Sequence, residues 1–212
     1  RDWSSDVCSS DLVQRDAAAV LDIVRTRYAD SARTMLKPLG FNNTFAILVR
    51  NADARRLGLS RLSDLGAQAP RWHAGFGFEF LARQDGYPGL ASTYGLSFSE
   101  PPRAMDLSLM YHALAERQVD VIAGDATAGL IAALDFTQLE DDRHYFPPYD
   151  AVPVVYAPTL LRHPEIAQAM NRLAGRVDAQ AMRAMNSAVD VEHKDPAVVV
   201  RAFLDALDRG VS

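Results

Sequence analysis

Arg83 and Tyr149 are the side chains whose surroundings best suit them to hold a small molecule. Arg83 ends the stretch Phe78-Glu79-Phe80-Leu81-Ala82-Arg83, which gives way to Asp85-Gly86 and Pro88-Gly89, both turn dipeptides. An arginine at the end of a helical piece beside a tight turn can fork its guanidinium onto a ligand carboxylate. It can equally pair with Glu79, one helical turn earlier, or with Asp85, and the sequence leaves both readings open. Tyr149 follows Pro147-Pro148. Two prolines fix φ and bias the residues before them toward extended backbone, so the ring is displayed on a stiff segment. On spacing alone, the pattern favours a Pro-rich surface turn entering a strand.

Catalytic chemistry finds little support. The histidines at positions 73, 112, 144, 163 and 193 form no pair at metal-binding or catalytic spacing. His144 lies beside Asp141 and Asp142. Adjacent carboxylates on an extended chain point different ways, so a solvated loop or local ion pair is expected there rather than a metal site. No Gly-rich phosphate loop and no serine in a glycine elbow occurs. An acid/base pair of Asp125 and His144 can be imagined, but no nucleophile, cofactor motif or metal cluster accompanies it.

The rest of the composition is that of an ordinary globular chain, 49% hydrophobic and 23% charged over 212 residues, enough for one large domain or two small lobes. The net charge of −5 and scattered basic residues provide no footprint for nucleic acid. No apolar run approaches the ~20 residues of a membrane span. Residues 1–12, Arg1 to Leu12, lack helical or strand periodicity and resemble one reading frame of a sequencing adapter, so they are read as an artefact. A Ser/Asp-rich linker would suit the same composition. Setting them aside removes Cys8, the only cysteine, and with it disulfides, thiol catalysis and Cys-ligated metal. It also means that the absence of a signal peptide carries no information about export.

The elements that must position these residues alternate. Gln14 to Leu36 reads as a helix with Val20, Ile23 and Val24 on its apolar stripe. Thr44 to Val49 is a continuous apolar run suited to a strand covered on both faces. Ser63-Asp64-Leu65 suggests a capped short helix, and His73 to Phe76 a short strand. Asp106 can cap a helix with Leu107, Met110, Tyr111 and Leu114 at i, i+3, i+4 and i+7, leading into a strand over Val119 to Ala123. Val152 to Val155 reads as a buried strand. This alternation implies an α/β fold with a largely parallel sheet. The last third reads as three helices: one with Pro164 at its first position, one marked by Met182, Met185 and Val189, and one opened by Asp195-Pro196 with Val200, Phe203, Leu204 and Leu207 on its apolar side.

Several of these segments, in colinear order, resemble one family. They are Gly40-Phe41-Asn42-Asn43-Thr44-Phe45, Leu62-Ser63-Asp64-Leu65, Arg83 to Leu90 with Tyr94-Gly95, Leu139 to Tyr149, and Met182 with Asn186 and Val189-Asp190. Together they are similar to the substrate-binding proteins of osmoprotectant ABC importers, the glycine betaine/choline/carnitine type. The resemblance implies an α/β, two-lobed type II periplasmic-binding fold, with residues 39–151 as the second lobe. Residues 13–38 and 152–212 would be parts of the first lobe, whose N-terminal part is missing. It implies a non-enzymatic protein with no cofactor. Its partners would be a small quaternary-ammonium ligand and a membrane permease subunit. Its place would be periplasmic or on the extracytoplasmic face of the plasma membrane, as a free protein, a lipoprotein or a domain fused to the permease.

For the site, the resemblance implies that Tyr149 matches one tyrosine of an aromatic cage and that Phe45 stands in the place of another, with Asn43 and Thr44 beside it. Arg83 falls where relatives place an arginine that binds the ligand's carboxylate. One position departs: Asp125 stands where relatives carry a cage tyrosine, and Ala128 where they commonly carry an aspartate. Asp125 could favour a cation by direct charge or cap the following helix. A different betaine such as ergothioneine, or a non-betaine cation, then becomes an alternative ligand. A second alternative is the effector-sensing domain of a transcription regulator.

Overall fold

The computed structural model describes residues 15–210, so the reading of residues 1–12 lies outside it. Five strands form the main sheet: β2 (Phe45–Arg50), β3 (Ala74–Gly77), β4 (Arg103–Met105), β5 (Val121–Asp125) and β6 (Phe136–Gln138). Their order across the sheet is β4-β3-β5-β2-β6. β3 is parallel to β4 and β5, whereas β2 is antiparallel to β5 and to β6. Four strands therefore point one way and β2 alone runs against them, so the sheet is mixed rather than largely parallel. The apolar run alone could not reveal this, because direction depends on how the chain enters the strand. β2 comes from a second, two-stranded sheet rather than through a helical crossover.

That second sheet pairs β1 (Arg33–Met35) with β7 (Val154–Tyr156), antiparallel. Between the two sheets the chain crosses twice, and the crossings are bonded to each other: Leu39 N–H to Ala151 O at 2.9 Å, Ala151 N–H to Phe41 O at 3.0 Å and Asn43 N–H to Tyr149 O at 3.0 Å.

Two hydrophobic clusters sandwich the main sheet. Ile47, Val49, Phe76, Val121 and Ala123 face one built with Leu65, Phe80, Leu90 and Phe146. Ala46, Leu48 and Ile122 face the other, on which Met110, Tyr111 and Leu114 of the helix Leu107–Ala115 pack. The period-2 alternation along β2 thus serves both faces, as expected of a strand covered on each side. The Asp106 carboxylate accepts the Ser108 N–H at 2.8 Å and caps that helix. Asp195 likewise caps the helix Pro196–Asp208, accepting from Ala197 N–H at 2.7 Å.

Other expectations are corrected. The first helix spans only Ala17–Ala29: Ala32 turns the backbone to φ 54°, and the residues after it pair with β7 instead. The capped turn at residue 62 is a 3₁₀ helix, Leu62–Ala67, and its capping acceptor is Asp64, taking the Ser60 and Arg61 N–H groups at 2.9 and 2.8 Å, not Ser63. Pro164 is the N-cap of the helix Glu165–Asn171 rather than its first residue. The strand after Pro153 is not buried: Val154 is 41% and Tyr156 56% exposed, since among the described residues no layer covers both faces of a two-stranded ribbon. Of the apolar side of the last helix only Leu207 is buried.

Candidate functional site

The carboxyl ends of β3, β4 and β5 and the amino end of β2 meet along one edge of the sheet. In open α/β sheets this is where side chains converge on ligands, because the loops leaving parallel strands part there. A cavity of about 440 Å³ opens at this edge. β3 is followed directly by Phe78 and Glu79, and β4 by Asp106 and Leu107; Asp125 ends β5 and Phe45 begins β2. Phe45 and Asp125 are register partners across the β2–β5 ladder, so the pairing alone sets them side by side at the mouth. All six residues singled out in the sequence, Asn43, Thr44, Phe45, Arg83, Asp125 and Tyr149, line this one cavity.

Tyr149 is pinned by its backbone as the proline pair predicts. Its N–H donates to Asn42 Oδ1 at 2.8 Å, and its carbonyl accepts the Asn43 N–H. Its ring remains 39% exposed. The preceding loop is organised by Asp141, whose carboxylate accepts the Tyr145 N–H at 3.0 Å, the Phe146 N–H at 2.8 Å and the Tyr94 hydroxyl. The neighbouring Asp142 accepts from Ser63. His144 is exposed, with φ 50°, and the acidic cluster serves the loop.

Phe45 leans on Phe80 with ring centroids 4.8 Å apart and on Phe146 at 5.9 Å, the edge of an aromatic cluster reaching into the core. Thr44 Oγ1 donates to Pro147 O at 3.2 Å, and Asn43 Oδ1 accepts the Thr127 hydroxyl at 2.6 Å. Both residues thus tie the start of β2 to the Tyr149 loop and to the turn after β5.

The structure shows the internal pairing of Arg83, with both of the carboxylates the sequence offers. Arg83 is the C-cap of the helix Phe78–Ala82, and its guanidinium forks onto Asp85, Nε to Oδ1 at 2.7 Å and Nη2 to Oδ2 at 2.6 Å. Nη1 donates to Glu79 at 2.9 Å and Nη2 to the Tyr149 hydroxyl at 3.1 Å. The Asp85 bond leads in raising the pKa of Arg83 above its ordinary value and in holding the Asp85 carboxyl below its own.

The Asp125 carboxyl is shifted the other way. Asp125 is exposed at the mouth of the cavity, but neighbouring atoms strip part of its hydration and the Glu79 carboxylate adds repulsion, so its pKa lies above the ordinary carboxylate value. The alternative role as a helix cap is not seen: the helix Leu130–Ala133 starts at Gly129 with no side-chain cap. The Asp125 N–H donates to the Tyr111 hydroxyl at 3.2 Å, and burial leads in pushing that phenol up to about 12.

Sequence reasoning missed Phe78, Glu79, Leu107 and Tyr111 as cavity residues. Phe78 is 68% exposed at the edge of the cavity, where its ring face is open to a ligand. The available signal was position: Phe78 and Glu79 directly follow a parallel strand. A second cavity of about 420 Å³ shares Thr44 and Phe45 and contains Arg183. Its arginine is held by Ala126 O at 2.6 Å and by Gln138. The first cavity is the better candidate because it gathers all six residues, whereas the second contains only two of them.

Comparison with known proteins adds to this geometry. Residues 17–206 match a family model described as the substrate binding domain of ABC-type glycine betaine transport systems. The chain is 36% identical over 201 residues to the glycine-betaine-binding protein of Pseudomonas aeruginosa, covering 89% of this chain and 64% of that one. It is 32% identical over 173 residues to the carnitine transport binding protein OpuCC of Listeria monocytogenes, covering 81% and 56%. The chain therefore spans roughly 56–64% of the length of these relatives. A crystal structure titled as a glycine betaine/carnitine/choline ABC transporter superposes with a TM-score of 0.85 at 32% identity, covering 92% of this chain and 72% of that one. The two-lobed type II periplasmic-binding class expected from the sequence is the fold of these neighbours.

Proposed function

The chain belongs to the family of substrate-binding domains of ABC-type glycine betaine transport systems, and from that premise we propose that it captures a small quaternary-ammonium ligand in the cavity at the ends of β3, β4 and β5. It then delivers the ligand to the permease subunit of an ABC importer on the extracytoplasmic side of the membrane. The family binds its substrate and does not convert it.

The observation that carries this reading is the convergence of Tyr149, Phe45 and Phe78 with carboxylates on one cavity. A trimethylammonium group has no N–H donor and a diffuse charge, so ordinary hydrogen bonds cannot hold it. Ring faces can, at about 0.5–2 kcal/mol each depending on desolvation. Tyr149 is the wall best prepared for this, because backbone bonds on both sides and the proline before it remove freedom that binding would otherwise cost. Arg83 sets the tyrosine hydroxyl from one side.

In this reading residues 39–151 form one lobe, and residues 13–38 and 152–212 contribute to a second. The bonded double crossing near Leu39 and Ala151 is the hinge about which they close. Closure would bring the second lobe over the cavity and the exposed ring of Phe78 at its edge.

Isothermal titration calorimetry of the full chain with glycine betaine, choline and carnitine tests the proposal. At least one should bind, and Tyr149→Ala should weaken it by roughly two- to thirtyfold, the range of one cation–π contact. Absence of heat with all three, or undiminished binding by the variant, would refute it.

A further inference from the structure

We propose that Asp125 makes this site selective for a quaternary-ammonium alcohol without a carboxylate, its side chain accepting the ligand's hydroxyl while the aromatic walls hold the ammonium. The inference rests on the binding function proposed above and adds the class of substrate.

The charged side chains that line the cavity are Glu79, Asp106, Asp125 and Arg83, three carboxylates against one guanidinium. The guanidinium is already committed. Asp85 takes its fork through two bonds, and Glu79 takes Nη1. A ligand carboxylate entering here would have to displace Asp85 from a bidentate pair, and it would face the remaining carboxylates at short range in a partly dehydrated space. A ligand with positive charge only meets no such cost.

Asp125 adds a requirement of shape and donor. An ionised carboxylate is an acceptor only, and among the described residues no hydrogen bond to the Asp125 carboxylate is found, although its backbone N–H is held by Tyr111. Its place beside Phe45 in the β2–β5 register sets an acceptor next to a ring. A trimethylammonium cannot donate to it. A hydroxyl carried by the same ligand can, and an O–H to a carboxylate is among the stronger hydrogen bonds. Asp106, by contrast, spends its carboxylate on Ser108 at the start of its helix.

The test is calorimetry on the full chain with choline, glycine betaine and tetramethylammonium, for the wild type and for Asp125→Asn, with thermal melting to confirm that the variant is folded. The wild type should bind choline about tenfold tighter than either of the others, the worth of one charge-assisted hydrogen bond. In Asp125→Asn the preference of choline over glycine betaine should fall to about threefold or less. Glycine betaine binding as tightly as choline in the wild type overturns the inference while leaving the quaternary-ammonium reading intact. Tetramethylammonium matching choline overturns the hydroxyl contact. A preference unchanged in a folded Asp125→Asn protein overturns the role of Asp125. Binding of carnitine but of none of these three overturns this inference alone; failure of carnitine as well overturns the parent reading with it.

Discussion

Replacing Arg50 by methionine probes what holds the base of the site. Arg50 ends β2 and is only 8% exposed. Its Nε donates to Asp53 at 2.5 Å, Nη1 to the Leu114 and Val119 carbonyls at 2.9 and 2.6 Å, and Nη2 to Asp120 at 2.7 Å. One side chain thus fastens β2 to the end of the helix Leu107–Ala115 and to the start of β5, the three elements whose opposite ends carry Phe45, Leu107 and Asp125. Breaking a buried pair by removing one partner costs about 3–5 kcal/mol. The lower end applies here, because Asp53 keeps Arg56 at 2.7 Å. Two carbonyls that lose their donor add about 1 kcal/mol each, and the apolar methionine stem returns about 1 kcal/mol. The expected loss is about 4 kcal/mol, a large share of the stability of an ordinary domain. With a urea m-value of about 3 kcal/mol/M, the unfolding midpoint followed by circular dichroism should fall by about 1.3 M. Arg50→Lys should recover less than half of this, since one ammonium cannot reach four acceptors arranged around a fork. Burial works to raise the Asp53 carboxyl, but the bonds from Arg56 and Arg50 outweigh it and hold the pKa below the ordinary value. The pair's contribution is therefore complete above that ordinary value, and the gap between wild type and Arg50→Met should close only as pH falls through the lowered one. A loss below about 1 kcal/mol for methionine, or wild-type stability for lysine, would refute the reasoning.

Three further outcomes are expected. A methyl group at Gly124 would collide with the Tyr111 hydroxyl and ring and come within 3.2 Å of Leu48, so Gly124→Ala should cost about 1–3 kcal/mol in a thermal melt and weaken choline binding by displacing the group that holds Asp125. Asp125 titrates above the ordinary carboxylate value, while Asp106 is held below it by Ser108 and stays ionised, as does the Arg83 pair with Asp85. Choline affinity measured against pH should therefore fall on acidification sooner than an ordinary carboxylate would allow, and Asp125→Asn should flatten that limb. Asp141→Asn leaves one acceptor oxygen where two serve three donors, so it should cost about 1–3 kcal/mol and speed amide hydrogen exchange over residues 145–149.

Features set by neighbours in sequence were legible before the structure. Asp106 and Asp195 cap helices because a carboxylate two residues before a free N–H reaches it whatever the rest of the fold does. The stiffness of the Tyr149 segment follows from the φ of proline, and the placement of Arg83 after a short helix from the turn dipeptides that follow it. The six candidate residues could be named from a resemblance that preserves their order along the chain.

What only the tertiary structure decided are the relations between distant segments. The run over residues 44–49 is equally apolar in either strand direction, and its reversal against the four others comes from where the chain enters the sheet. That reversal is what sets Phe45 against Asp125. The Val154 strand looked buried because an apolar run does not state whether a layer will cover it. Asp125 could have capped a helix or faced a ligand, and Arg83 could have held a carboxylate of the ligand or of the protein. Sequence specified the chemical capacity of each group. Which capacity is used depends on distances of a few ångströms between residues far apart in the chain, 66 positions for Arg83 and Tyr149 and 107 for Asn42 and Tyr149, and only folding sets those.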